Sequence, residues 1–251
     1  MMSISLSKGE LEPEGAWAQS AKLSLADRSF ALDTLAFIKD PAASKAMLDF
    51  AKPDSPLRHQ ATVWLLNRMT NDWTDYGLRP ALKSAGIYDP DTLTLKESIV
   101  PPPPADLPQL SVEEIVKLTG DPARGKNSTT RCLMCHAIGG TGAELGPSLD
   151  GWGRGKSPDV IATAMVRPSA EIAHGYEGVE LKTKDGLTIQ GVLIKEGDPL
   201  MMRSMGGLTQ IIPADRVASR RRMPGSLMMS AAQLGLTAQD VADIVAFLRS
   251  N

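Results

Sequence analysis

The chain is poor in cysteine: its 251 residues contain two. A structural zinc site normally takes four protein ligands, usually as two pairs. No second pair exists, so that class is excluded. Net charge is only -2, so no strong field draws the chain to nucleic acid or to an anionic membrane. Nowhere does an apolar run reach the ~18 residues that would make a membrane span. Residues 1–10 lack the apolar stretch of a secretory leader. Paired carboxylates, a nucleophile triad and a phosphate loop cannot be placed either, which weighs against an enzyme. What remains is an ordinary globular composition, 42% hydrophobic and 22% charged. The length allows one large domain or two small ones.

The two cysteines stand together in Arg131-Cys132-Leu133-Met134-Cys135-His136. This is Cys-x-x-Cys-His, the attachment signal for c-type haem. Its spacing has a chemical reason. Two thiols three residues apart can each form a thioether to one edge of a porphyrin, and the next residue, His136, can then put an imidazole nitrogen on the iron. A thioredoxin-like redox pair would sit at a strand-to-helix turn in a βαβ unit, and the flanks show none. Two buried thiols beside a chance histidine are the remaining alternative. The cofactor expected is one covalently bound haem c. Such haem is attached outside the bacterial cytoplasm, so a periplasmic location is expected, with the leader removed or trimmed.

Taken in order, residues 1–23 are polar and expected to be irregular. Phe30, Leu32, Leu35, Ala36 and Ile38 recur at helical spacing. Asp40-Pro41 breaks the run and suits the first turn of a second helix, marked by Ala43, Ala46, Met47 and Phe50. A third helix carries Ala61, Trp64, Leu65, Leu66 and Met69, with His59 exposed near its start. Short helices separated by Pro/Asp turns resemble a HEAT-type fragment, or a small helical cap. This N-terminal domain is expected over 1–90. The stretch 91–110, with Pro101-Pro102-Pro103-Pro104, reads as a semi-rigid linker or as a strap over the next domain.

The third region is expected over 111–251. Ser111 and Glu114 form a capping box, and Asp121-Pro122 opens the helix leading to the cysteines. Gly139, Gly140, Gly142 and Gly146 let backbone pass close to a flat macrocycle. The last helix has a Thr237 cap and one apolar stripe of Val241, Ile244, Val245 and Leu248. Alternating residues over about 176–217 predict an antiparallel insert of about four strands, turning at Asp185-Gly186, Gly197-Asp198-Pro199 and Gly206-Gly207.

Cys132-x-x-Cys135-His136 followed by Gly146-Pro147-x-Leu149 resembles a class I cytochrome c. With the β insert and the preceding helices, residues 111–251 look like the haem-binding domain common in planctomycete and verrucomicrobial proteins. The resemblance implies a mainly α (α+β) fold: a cytochrome c helical domain with a small antiparallel β insert, preceded by a small HEAT-like domain. It implies that Pro147 orients His136 through its carbonyl, that Trp152, Ile161, Met165 and Pro168 line the haem pocket, and that the last helix crosses the first.

A methionine opposite His136 is the usual electron-transfer arrangement. The family's Ser-Leu-Met-Pro appears here as Ser226-Leu227-Met228-Met229, so the resemblance favours Met228 as sixth ligand, with Met223 of Met223-Pro224 the alternative. His174 would give bis-histidine ligation but reads as a loop residue. Arg220-Arg221-Arg222 is expected to neutralise propionates, to face a partner, or to form a solvated basic turn. The function expected is a periplasmic monohaem one-electron carrier. Its partner would be a redox protein such as a periplasmic dehydrogenase or oxidase, with no nucleic acid and no membrane span. The alternative is a haem enzyme with a labile sixth ligand acting on peroxide or a small gas.

Overall fold

The computed structural model of the chain describes residues 22–251, so most of the irregular segment expected over 1–23 lies outside the described residues. The chain divides into two compact units, Met1–Thr94 and Leu95–Asn251.

The first unit is helical: α1 (Leu25–Leu35), α2 (Pro41–Phe50), α3 (Arg58–Arg68) and α4 (Leu78–Ser84). Its starts follow from local chemistry. The Ser24 hydroxyl accepts the Asp27 amide, the Asp40 carboxylate accepts the Ala42 amide, and Pro41 sits at the first helical position. Pro80 falls in the first turn of α4, where no intrahelical amide is needed. Trp73 is fully buried and donates its indole N–H to the Ile38 carbonyl at 2.9 Å. Phe30, expected on the apolar face of α1, is instead 68% exposed; that face is Ala31, Leu32 and Leu35. Phe30 is two positions before Leu32 and so points about 200° away from it.

The second unit corrects the expected fold class. It is not a mainly α cytochrome c domain carrying a small insert. It is α+β, built on a five-stranded antiparallel sheet in the order β6-β5-β4-β3-β7. The strands are β3 (Gly178–Thr183), β4 (Thr188–Lys195), β5 (Leu200–Arg203), β6 (Thr209–Ile212) and β7 (Val217–Arg222); β1 (Ala137–Ile138) and β2 (Thr141–Gly142) make a separate hairpin. The sheet has its own core of Leu181, Ile189, Met202 and Ile212. The fifth strand runs past the expected limit at 217. It closes the sheet by pairing with β3, opposing Val179 to Arg222 and Leu181 to Arg220. It escapes an alternation test because it is an edge strand whose residues are mostly polar and exposed. Arg220-Arg221-Arg222 is therefore strand, not turn. Each arginine meets a carboxylate, of Glu196, Glu180 and Glu177 respectively, at 3.6, 2.8 and 3.1 Å.

Part of the proline-rich stretch belongs to this unit. The Ser98 amide donates to the Thr188 carbonyl at 3.0 Å, and the Ser98 carbonyl accepts the Gln190 amide at 2.7 Å. Gln210 holds both backbone groups of Lys96. Residues 96–100 thus form a strap along the first half of β4, the half that β5 does not reach.

The helices of the second unit are α5 (Val112–Ile115), α6 (Pro122–Ser128), α7 (Pro158–Val166) and α8 (Ala238–Ser250). Ser111 caps α5 by accepting the Glu114 amide, but its hydroxyl donates to Glu113 rather than Glu114. Thr237 and Asp240 complete a capping box on α8. Helices α6 and α8 cross so closely that a Cβ on Gly125 would strike the backbone of Asp243. The crossing is fastened by Asp243, which is only 2% exposed. It accepts Arg124 Nε at 2.7 Å and Arg124 Nη2 at 2.9 Å, the Asp121 amide at 2.8 Å and Gln239 Nε2 at 2.9 Å. The expected stripe Val241, Ile244, Val245 and Leu248 is buried in the core beneath.

Candidate functional site

Cys132 and Cys135 lie on and just after a 3-10 helix, Thr129–Met134, that continues from α6. The His136 amide closes the turn on the Cys132 carbonyl at 2.8 Å. The β1–β2 hairpin then sends the chain back over the motif. Ala143, Gly146 and Leu149 donate their amides to the carbonyls of Leu133, Cys135 and Ala137 at 2.8, 2.7 and 3.0 Å. The motif is thereby held residue by residue, from outside the helix that presents it.

The fold-back places the Pro147 carbonyl 2.7 Å from His136 Nδ1. A carbonyl can only accept, so Nδ1 carries the proton and Nε2 keeps its lone pair. Burial pushes the His136 pKa down, against the opposing pull of the Pro147 carbonyl, so the ring is neutral at pH 7. Gly146 lies against the imidazole: a Cβ there would stand 2.5 Å from Cε1. Burial pushes the Cys132 thiol up to about 11, with Cys135 adding and Arg131 subtracting, and burial raises Cys135 as well. Both are therefore protonated thiols at neutral pH, unlike the lowered thiols of redox pairs. Among the described residues no three His, Cys, Asp or Glu side chains gather to hold a metal ion.

All three motif residues line one apolar cleft of about 1100 Å³, counted to its solvent-open mouth. Gly146, Pro147, Leu149 and Trp152 line it, as do Met165 and Pro168. Met228 is on the lining; Met223 is not, and packs instead against the cluster of Leu145, Val192 and Leu227. Ile161 is fully buried in the helical core and does not reach the cleft. His174 is wholly exposed and off the lining, 3.7 Å from Glu177.

Several lining residues were not expected. Val192 comes from β4, Leu145 from the loop after the hairpin, and Ile172 and Tyr176 from the segment leading into the sheet. One residue of the sheet, Val192, therefore reaches the cleft. No local pattern marks Val192 as different from its neighbours in β4; only the pairing of the whole sheet brings it there.

The donor set fits a haem c. One wall carries two thiols and an imidazole with a free Nε2, the lining is apolar, and a thioether lies on it. The glycine against the imidazole leaves the ring room that a side chain would take. No protein-family profile matches the chain, and no curated protein matches it.

Proposed function

We propose that the chain is a c-type cytochrome in function, a one-electron carrier with a single haem in the cleft. Cys132 and Cys135 would hold the haem by thioethers, and His136 Nε2 and Met228 Sδ would ligate its iron. The haem supplies a one-electron couple, and thioether ligation raises its potential.

The rest is work for the chain. Pro147 fixes the tautomer and aim of His136, as outer partners of ligating histidines do. The hairpin and its return hydrogen bonds keep the two thiols and the imidazole on one wall. Leu149, Met165, Val192 and Leu248 keep water away, so little solvent reorganises when an electron moves. With His136 and Met228 both ligating, the iron would offer no open position to a substrate, and this favours a carrier over an enzyme. A periplasmic location and a redox-protein partner follow from the attachment chemistry as part of the same proposal. No helix among the described residues is long and apolar enough to cross a membrane.

The observation that carries this is the convergence of Cys132, Cys135, His136 and Met228 on one apolar cleft, with His136 Nδ1 tied to Pro147. The test is optical. In exported, oxidised protein the weak near-infrared thioether-to-iron band should be present, and Met228→Ala should abolish it, lower the potential and let carbon monoxide bind reduced iron. Met223→Ala should change none of these. A band lost only in Met223→Ala, or in neither variant, contradicts the assignment.

A further inference from the structure

The segment that carries Met228 is held by a short chain of hydrogen bonds that begins just past the end of α7. Ser169 follows Pro168, a lining residue just past the end of α7. Its Oγ accepts the Ser226 amide at 3.0 Å. Ser226 Oγ in turn accepts the Met228 amide at 3.0 Å. The joint is tight: a Cβ on Gly225 would stand 2.9 Å from Ser169 Oγ. On either side the segment is tied to backbone. The Met223 amide donates to the Gly178 carbonyl at 2.8 Å, and the Ala231 amide to the Met165 carbonyl at 2.7 Å.

The geometry points to Ser169 as a positioning residue for Met228, acting through Ser226. This rests on the proposed placement of the Met228 thioether on the iron. The physical sense is preorganisation. A loop that must be ordered at the moment its side chain binds gives up part of the binding free energy, and a loop already ordered keeps it. Ser169 and Ser226 order the backbone of Met228 beforehand, through two acceptors that do not titrate.

The test uses the full chain in four versions: wild type, Ser169→Ala, Ser226→Ala and the double variant. Gly225→Ala is a fifth, which wedges the same joint open without removing a hydroxyl. Amide exchange requires no haem. In Ser169→Ala it should quicken at Ser226 and Met228 by about fivefold, the loss of one ordinary hydrogen bond. In reduced, haem-loaded protein, carbon monoxide should bind about fivefold more tightly in each single variant, again one hydrogen bond's worth. The double variant should match Ser226→Ala, because the two bonds are in series. Unchanged exchange in Ser169→Ala overturns the proposal. So does faster exchange with unchanged carbon monoxide affinity, and so do effects that add in the double variant. A wild-type chain that carries no haem, or no thioether band, overturns the proposed function itself, and that failure is read before any variant is made.

Discussion

The Pro147 carbonyl and His136 Nδ1 stand 2.7 Å apart across eleven residues of chain. Everything between them serves that contact: a hairpin two residues per strand, then a return whose amides bind the motif's own carbonyls. Gly146, next to the proline, is the residue pressed against the ring. Gly146→Ala should therefore disturb the imidazole without replacing any proposed ligand. Overpacking of this kind costs about 1–3 kcal/mol. A chemical denaturation midpoint should fall accordingly. The oxidised spectrum should gain a high-spin fraction while the haem stays covalently attached.

The α6–α8 crossing makes a separate prediction about acid. The Arg124 guanidinium, with the Asp121 and Gln239 groups, holds the Asp243 carboxyl at about 2, below its ordinary 3.8. A carboxyl lowered by folding stabilises the fold in its ionised form. That contribution is complete above the unfolded value, ~4, and is lost as pH falls through the folded value, ~2. Asp243→Asn should lower stability at neutral pH by about 1–3 kcal/mol, since Arg124 and the Asp121 amide lose a charged acceptor. Between pH ~4 and ~2 the variant's stability should vary less than wild type's. Denaturant titrations at stepped pH would show both. A variant whose acid profile parallels wild type's would contradict the assignment of Asp243.

Val192 tests whether the sheet belongs to the site. It is buried on β4 and reaches the cleft, whereas Ile189 on the same strand is buried in the sheet's own core. Val192→Ala and Ile189→Val should both destabilise, by about 2 and about 1 kcal/mol. Only Val192→Ala should shift the haem potential or spectrum. Equal spectra in both would mean the sheet is a passenger.

How far the sequence discloses the molecule follows from how local each feature is. Cys132, Cys135 and His136 are legible because five consecutive residues carry the chemistry. The strands from Gly178 to Ile212 are legible from alternation and from turns at Gly186 and Gly197. The fifth strand is not, because Arg220, Arg221 and Arg222 show no buried face; its evidence is the partner carboxylates of Glu196, Glu180 and Glu177. Without it the alternation reads as a four-stranded insert. Asp243 sits inside an apolar stripe with no cation nearby in sequence to pair it; its charged partner Arg124 is 119 residues away. The same distance problem hides Val192 and Ser169, which matter only through what the fold brings against them. The resemblance favours Met228 over Met223, and of the two only Met228 is on the cleft lining.

On the proposed function, Cys132 and Cys135 hold a haem covalently. The most direct measurement of this is the intact mass of the full chain, exported by cells competent in haem c attachment and extracted with acid and organic solvent. The expected mass is that of the chain plus one haem, retained through extraction, and that of the bare chain when both Cys132→Ala and Cys135→Ala are introduced. Recovery of the bare wild-type chain from such cells would contradict covalent attachment.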